Sequence, residues 1–256
     1  MRDYIFPAPA LRCLHVFQEP RLLPVRRVYC VGRNYAAHAR EMGFSDRDPP
    51  FFFCKPGDAV LAAHHDVEMA VAYPSRTSDY QHEVELVVVI GRCGTNIPAD
   101  TALDHVWGYA VGLDMTRRDV QMEMRRQGRP WETGKSFDDS AIVGEVIPVS
   151  RGGHVTEGAI SVKVEDQLRQ SSDVSLLMWP VNEIIAHLSS WFRLEPGDLI
   201  FTGTPEGVGP VVAGQTMVAS IDGLPTVRVR VASDSEKSKD CGGQPPIPVA
   251  SSDVRE

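Results

Sequence analysis

The chain has 256 residues, of which 43% are hydrophobic and 23% charged. That composition suits a soluble globular protein with a sizeable core and excludes a disordered or fibrous one. Acids outnumber bases 34 to 26 for a net charge of −8, which argues against nucleic acid or an anionic membrane surface as the main partner.

No apolar run approaches the roughly 18–20 residues that span a bilayer. The opening segment has Asp3 and a proline-broken middle, unlike a secretory leader. Five cysteines without a CxxC motif read as reduced thiols of a cytoplasmic protein, and not as a zinc site.

Residues 1–25 read as a peripheral strand region that packs on the body, with a turn at Pro20–Pro24. The body, 26–232, is punctuated by short β-type runs: RVYCV, VELVVVI, WGYAVGLDM, AISVKV, DLIFTG and TVRVRV. They predict a mainly β, mixed α+β fold with few short helices. The first helix is predicted over Tyr35–Met42, with Asn34 as its N-cap and Gly43 as its stop. The second runs Arg117–Gln127, with Thr116 as N-cap and Gly128 as terminator. A third follows Pro180 and buries Val181, Ile184, Ile185 and Leu188 on one face. Residues 233–256 are polar, rich in Pro, Gly and Ser, and read as a flexible tail carrying −2 of the charge.

Four constellations could carry chemistry. Glu83 and Glu85 are two apart, so a strand points both carboxylates to one face, and Asp114 ends another apolar run. Converging, the three would make an all-oxygen site for a hard divalent cation. On spacing alone, an exposed strand face is the commoner origin of E-x-E. His38 and Glu41 share a helix face, where a carboxylate can orient a general base; a surface ion pair has the same spacing. Arg118 and Gln121 also share a face and could grip a substrate carboxylate, with Lys135 as a further cation. Solvated helix surface fits them as well. The fourth is the segment TGTPEGVGP, whose threonines and glycines could meet an anion or form a plain loop. His64-His65-Asp66 is set aside as a metal motif because adjacent side chains of an extended segment diverge. His82 reads as half-exposed or as support for the acid pair, and His187 as surface or structural.

Taken in order, VGRNYAAHAREMG, PFFFCKPGDAV, HEVELVVVIG, GYAVGLDMTRRDVQ, GRPWETGKSF and GDLIFTGTPEGVGP resemble the fumarylacetoacetate hydrolase family over about residues 27–231. The resemblance implies that family's β-roll or sandwich, with 26–232 as the catalytic domain and a homodimer as the assembly. It implies Mg²⁺ or Mn²⁺ on Glu83, Glu85 and Asp114, catalytic His38, Glu41 and Lys135, and substrate contacts from Arg33, Arg118, Gln121 and Thr204. The PPFFFCKPGDAV and TRRDVQ variants resemble the family's acylpyruvate hydrolases. They imply C3–C4 cleavage of a small 2,4-dioxo acid, with fumarylpyruvate of the gentisate route of aromatic catabolism as the best-fitting substrate. Oxaloacetate decarboxylation or 2-oxo-acid isomerisation on the same scaffold is the alternative, and an inactive dicarboxylate-binding relative is another. Two departures stand out: VEDQLRQ replaces a commoner V-N-G hairpin, and Gly57 replaces a commoner alanine.

Overall fold

The computed structural model describes residues 5, 9–36 and 48–233. The strands are numbered in chain order. An N-terminal hairpin, β1 (Cys13–Val16) and β2 (Glu19–Pro24), turns at Phe17–Gln18, with Gln18 in the left-handed region at φ 54°. The predicted turn at Pro20–Pro24 is therefore displaced. Both prolines lie within β2, where a two-stranded ribbon leaves one edge without ladder bonds and so tolerates a missing N–H. Val16 bridges to Val146, which fastens the hairpin to the body.

The central sheet uses β3 (Val28–Val31), β4 (Phe52–Lys55), β5 (Val60–Ala62), β8 (Val84–Ile90), β9 (Val106–Asp114), β11 (Ala141–Val143), β12 (Ile147–Pro148) and β15 (Leu199–Phe201). Its order is β4-β3-β15-β8-β9-β11-β5, with β12 alongside β9. A second sheet has the order β14-β13-β17-β18-β6, formed by Gln167–Asp173, Ala159–Val164, Thr216–Ile221, Val227–Ala232 and Met69–Ala72. A small third sheet joins β10 (Thr116–Arg117), β7 (Tyr80–His82) and β16 (Gly209–Pro210).

β8 is buried at all seven positions, which explains its unbroken apolar run: a strand covered on both faces needs no polar alternation. Its even residues, Val84, Leu86, Val88 and Ile90, enter the larger core with the second sheet. Val87 and Val89 face a smaller core that also holds Leu14, Cys30, Val60, Ala141 and Phe201. Cys30 and Val60 lie near opposite ends of the strand order, so the sheet curls around this second core. Gly112 of β9 makes the curl possible: a Cβ there would stand 2.4 Å from Val87 Cγ2 and 2.7 Å from Phe201 Cε1.

The described helices are α1 (Arg118–Arg126), α2 (Glu132–Lys135), α3 (Val149–Gly152) and α4 (Val181–Trp191). α1 matches the second predicted helix but is not capped by Thr116. That residue is paired in β10, and its hydroxyl donates to Asp114 O. Gly128, at φ +63°, ends α1 as expected; Arg129 N–H donates to Met124 O and Gly128 N–H to Arg125 O, closing the last turn. α4 buries the four predicted apolar residues. α2 and α3 are too short to show a period in sequence. The predicted first helix falls mostly outside the described residues, as does the 234–256 part of the tail. Asn34, expected as its cap, ties two loops among the described residues: its side chain donates to Thr202 O and Trp179 O and accepts from Trp179 N–H.

The altered VEDQLRQ hairpin is intact. Glu165 and Asp166 both adopt positive φ, 48° and 62°, the turn that usually takes Asn-Gly. Glu165 offsets this with its carboxylate, which accepts Thr216 N–H at 2.6 Å. Among the described residues no helix is long and apolar enough to cross a membrane, and the four described cysteines are unpaired.

The crowding at Gly112 makes a test of the curl. Gly112→Ala should cost about 1–3 kcal/mol, as overpacking does in well-filled cores. Thermal unfolding should show a clearly lowered midpoint, and an unchanged midpoint would contradict the packing around the smaller core.

Candidate metal and substrate site

The antiparallel register of β8 and β9 assembles the acid cluster. Asp114 N–H donates to Glu83 O at 2.9 Å, so these two residues lie opposite each other, and Glu85 pairs with Gly112. Alternation puts Glu83 and Glu85 on the face of Val87, and Asp114 on the face of Ala110 and Gly112. All three carboxylates therefore emerge above the smaller core, buried, with ligand oxygens within 4.8 Å of one another. The exposed-face reading of E-x-E is excluded.

Buried like charges demand cations. Lys135 Nζ donates to Glu83 Oε2 at 2.7 Å and to Asp114 Oδ2 at 2.8 Å. Burial alone would lower the Lys135 pKa, but Asp114 and Glu83 outweigh it and the pKa is raised. Lys55 Nζ stands 2.8 Å from Asp114 Oδ1. Arg118 Nη2 donates to Glu83 Oε1. Glu85 is different: among the described residues it has no ion pair, only the Gly203 N–H at 2.7 Å. Burial first, then the charges of Asp114 and Glu83, push its pKa well above the carboxylate range. One more cation at this cluster would remove that penalty. Three carboxylates with no sulfur or imidazole among them fit a hard divalent ion such as Mg²⁺ or Mn²⁺.

Gly203 can offer its N–H only by an unusual backbone. Its φ is +100°, and a Cβ would lie 2.6 Å from Asn34 Cβ. The TGTPEGVGP segment is thus neither a plain loop nor a free anion cradle. Thr202 Oγ1 donates to Leu86 O at 3.0 Å, and Thr204 Oγ1 to Val84 O at 2.9 Å. Thr204 lines the cavity, but its hydroxyl proton is directed into the fold.

A cavity of about 160 Å³ opens onto Glu83, Glu85 and Lys135, while the buried Asp114 is not among its lining residues. Its walls include Arg33, Arg118, Gln121, Arg125, Phe51 and Trp131. Arg118 and Gln121 do share a face, and they bond each other: Arg118 Nη1 donates to Gln121 Oε1. With Nε on Gln81 Oε1 at 2.8 Å, much of the Arg118 fork serves the protein. Arg33 and Arg125 are partly exposed wall residues, and burial with the nearby Arg125 charge lowers the Arg33 pKa. His38 and Glu41 lie outside the described residues.

Three contributors escape the sequence reading. Lys55 is 1% exposed; lysines are rarely buried, and only its place in the KPGDAV motif marks it. Gln170 ties the site together: Oε1 accepts from Val84 N–H and His82 Nδ1, while Nε2 donates to Thr204 Oγ1 and Pro205 O. Nothing in its polar surroundings, LRQSSD, announces this. Arg125 sits a turn beyond Gln121, a spacing that could have pointed to it. His82 is fully buried, not half-exposed, and burial lowers its pKa. His187 packs edge-on to Trp179, their ring centroids 4.8 Å apart.

His64 and His65 also depart from expectation. They stand in a turn closed by Val67 N–H to His64 O, not in an extended segment. Their rings therefore stack, centroids 4.9 Å apart, and both reach Glu145.

Comparison with known proteins agrees with this geometry. Residues 27–232 match the family model described as fumarylacetoacetate (FAA) hydrolase C-terminal. A fumarylpyruvate hydrolase from Ralstonia sp is 49% identical over 181 residues, covering 71% of this chain and 92% of the relative. The crystal structure of fumarylpyruvate hydrolase from Pseudomonas aeruginosa in complex with Mn²⁺ and pyruvate superposes with a TM-score of 0.89 at 55% identity, over 90% of this chain and 99% of that one. A mitochondrial oxaloacetate tautomerase from Mus musculus is 39% identical over 206 residues, 80% of this chain and 91% of the relative. The chain belongs to the fumarylacetoacetate hydrolase family.

Proposed function

We propose that the chain is a Mg²⁺- or Mn²⁺-dependent acylpyruvate hydrolase whose best-fitting substrate is fumarylpyruvate, cleaved to fumarate and pyruvate. The observation that carries this reading is the buried cluster of Glu83, Glu85 and Asp114, in which Glu85 has no cationic partner among the described residues, beside a cavity lined by Arg33, Arg118 and Arg125. The relatives from Ralstonia and Pseudomonas aeruginosa support the substrate class.

Charge supports a dianionic substrate. With the ion bound, three ionised carboxylates would be balanced in number by Lys55, Lys135 and Arg118. A divalent cation adds two positive charges, which the two carboxylates of fumarylpyruvate would cancel. Arg33 and Arg125 also line the cavity and would meet the distal carboxylate of such a molecule.

Glu83, Glu85 and Asp114 would hold the ion, and the bound ion supplies Lewis acidity toward the 1-carboxylate and 2-oxo group. Glu41 orients His38, which removes a proton from water as the oxygen bonds to C4. Lys135 carries three N–H donors and uses two on Glu83 and Asp114, leaving one for the oxyanion at C4. When that oxyanion collapses, the C3–C4 bond breaks and its electron pair leaves with C3 as pyruvate enolate, which His38 can protonate. Fumarate is released from the arginine side.

The second reading, oxaloacetate tautomerisation or decarboxylation, is supported by the mouse relative. It needs an enolate but no attacking water, so the His38–Glu41 pair favours hydrolysis. We assign 26–232 as the catalytic unit, acting as a cytoplasmic homodimer in aromatic catabolism.

Chelation should abolish turnover of fumarylpyruvate, followed by loss of its enol absorbance, and Mg²⁺ or Mn²⁺ should restore it; full activity without metal would exclude the carboxylate site. His38→Ala should lower kcat by roughly 10²–10⁴-fold while calorimetry shows unchanged Mn²⁺ binding. Product analysis separates the readings: fumarate and pyruvate in equal amounts mark the hydrolase, whereas turnover confined to oxaloacetate would favour the second.

A further inference from the structure

Among the described residues, a second place where metal-binding groups meet involves none of the residues that line the cavity. Glu145 follows β11 and is 3% exposed. Its Oε1 lies 3.3 Å from His64 Nε2, and its Oε2 accepts from His65 Nδ1. The three ligand atoms lie within 4.8 Å of one another. The rings themselves are partly open to solvent, with side-chain exposures of 39% and 33%.

We propose that His64, His65 and Glu145 form a second metal site, built for a borderline transition ion such as Zn²⁺. Two imidazoles and one carboxylate are a donor set that zinc takes readily, with solvent in the fourth position. In a tetrahedral zinc site with bonds of about 2.0–2.1 Å, neighbouring donors stand roughly 3.3 Å apart, which is the His64 Nε2 to Glu145 Oε1 separation. The Glu83 cluster offers only oxygen and suits a harder ion, so the two sites differ in preference.

The outer contacts agree with ligation. His65 Nε2 lies 3.1 Å from Asp66 Oδ1. Histidine ligands commonly donate their second ring N–H to a carboxylate in this way, which aims the other nitrogen at the metal. Zinc would replace the proton that joins His65 Nδ1 to Glu145. At His64 the cost is smaller: Nδ1 accepts Asp66 N–H at 3.3 Å, and this weak bond is lost when the ring proton moves to Nδ1 so that Nε2 can bind metal. Both displaced protons leave the ligand nitrogens, one to solvent and one to Nδ1.

The site is also placed to have a structural effect. Val146, next to Glu145, donates its N–H to His15 O and accepts Phe17 N–H. Phe17 packs edge-on to His65 and His15 to His64. A metal here would clip the 64–67 turn to Glu145 and, through Val146, brace the N-terminal hairpin.

The test uses the full chain in excess Mg²⁺, so that the carboxylate cluster is filled by its harder ion. Zn²⁺ is then titrated by calorimetry into the wild type, His65→Asn and Asp66→Asn. The wild type should bind one more Zn²⁺ than His65→Asn, and Asp66→Asn should bind it about 10–100-fold more weakly. Zinc-edge X-ray absorption should show imidazole scattering at about 2.0–2.1 Å that is lost in His65→Asn. Both variants alter half-exposed or exposed side chains and leave buried Glu145 in place, so folding is retained. Equal Zn²⁺ stoichiometry and affinity in wild type and His65→Asn, or no Zn²⁺ uptake beside Mg²⁺, would overturn the proposal.

Discussion

Three carboxylates buried together, two of them in contact with shared cations, impose the central constraint on this molecule. Left alone, such a cluster would protonate or pull water inward. Here three elements supply cations that offset the charge of Glu83 and Asp114. β4 brings Lys55, α2 brings Lys135 and α1 brings Arg118, each from a different stretch of chain. Among the described residues Glu85 has no such partner and receives only a backbone N–H, which is available because Gly203 can adopt φ +100° beside Asn34. The residual electrostatic debt at Glu85 is what a divalent ion would cancel.

The fold is organised to keep this cluster rigid. β8 and β9 are buried on both faces, and their register is fixed by two cores of different size. A one-residue slip would send Glu85 into the larger core and Leu86 into the cavity, so the hydrophobic pattern also sets the ligand geometry. Gln170 extends the same control outward. Its four bonds join the second sheet to β8, to His82 and to the Thr204 loop. The Thr204 hydroxyl, which resemblance places on the substrate, takes part in that bracing in the described arrangement.

What the sequence made legible follows from local physics. The continuous VELVVVI run, the four-residue apolar face of α4 and the glycine stop of α1 are local patterns, and they appear as expected. The E-x-E spacing predicts a shared face correctly, but only the antiparallel partner decides whether that face is buried. Other features depend on distant residues. Asn34 binds partners 145 and 168 positions away, which no local pattern announces. Lys55, Lys135 and Gln170 are buried against their usual preference because their partners are polar and remote. The histidine pair fails for a different reason: adjacent side chains diverge on a strand, but a tight turn at 64–67 brings them together.

Net charge illustrates the same separation between local and global terms. A body of net −6 should repel a dianion if the field were uniform. Exposed charges, however, are screened over roughly 8–10 Å at physiological ionic strength, while buried charges act on their neighbours at much lower effective dielectric. The cations that matter are the buried ones. Lys135, Lys55 and Arg118 are 2%, 1% and 9% exposed, and each is fixed at short range from the floor of the cavity. An acidic protein can therefore present a positive interior to its substrate once a divalent ion joins them. Three of the acids that give the chain its negative sign would supply the ligands for that ion.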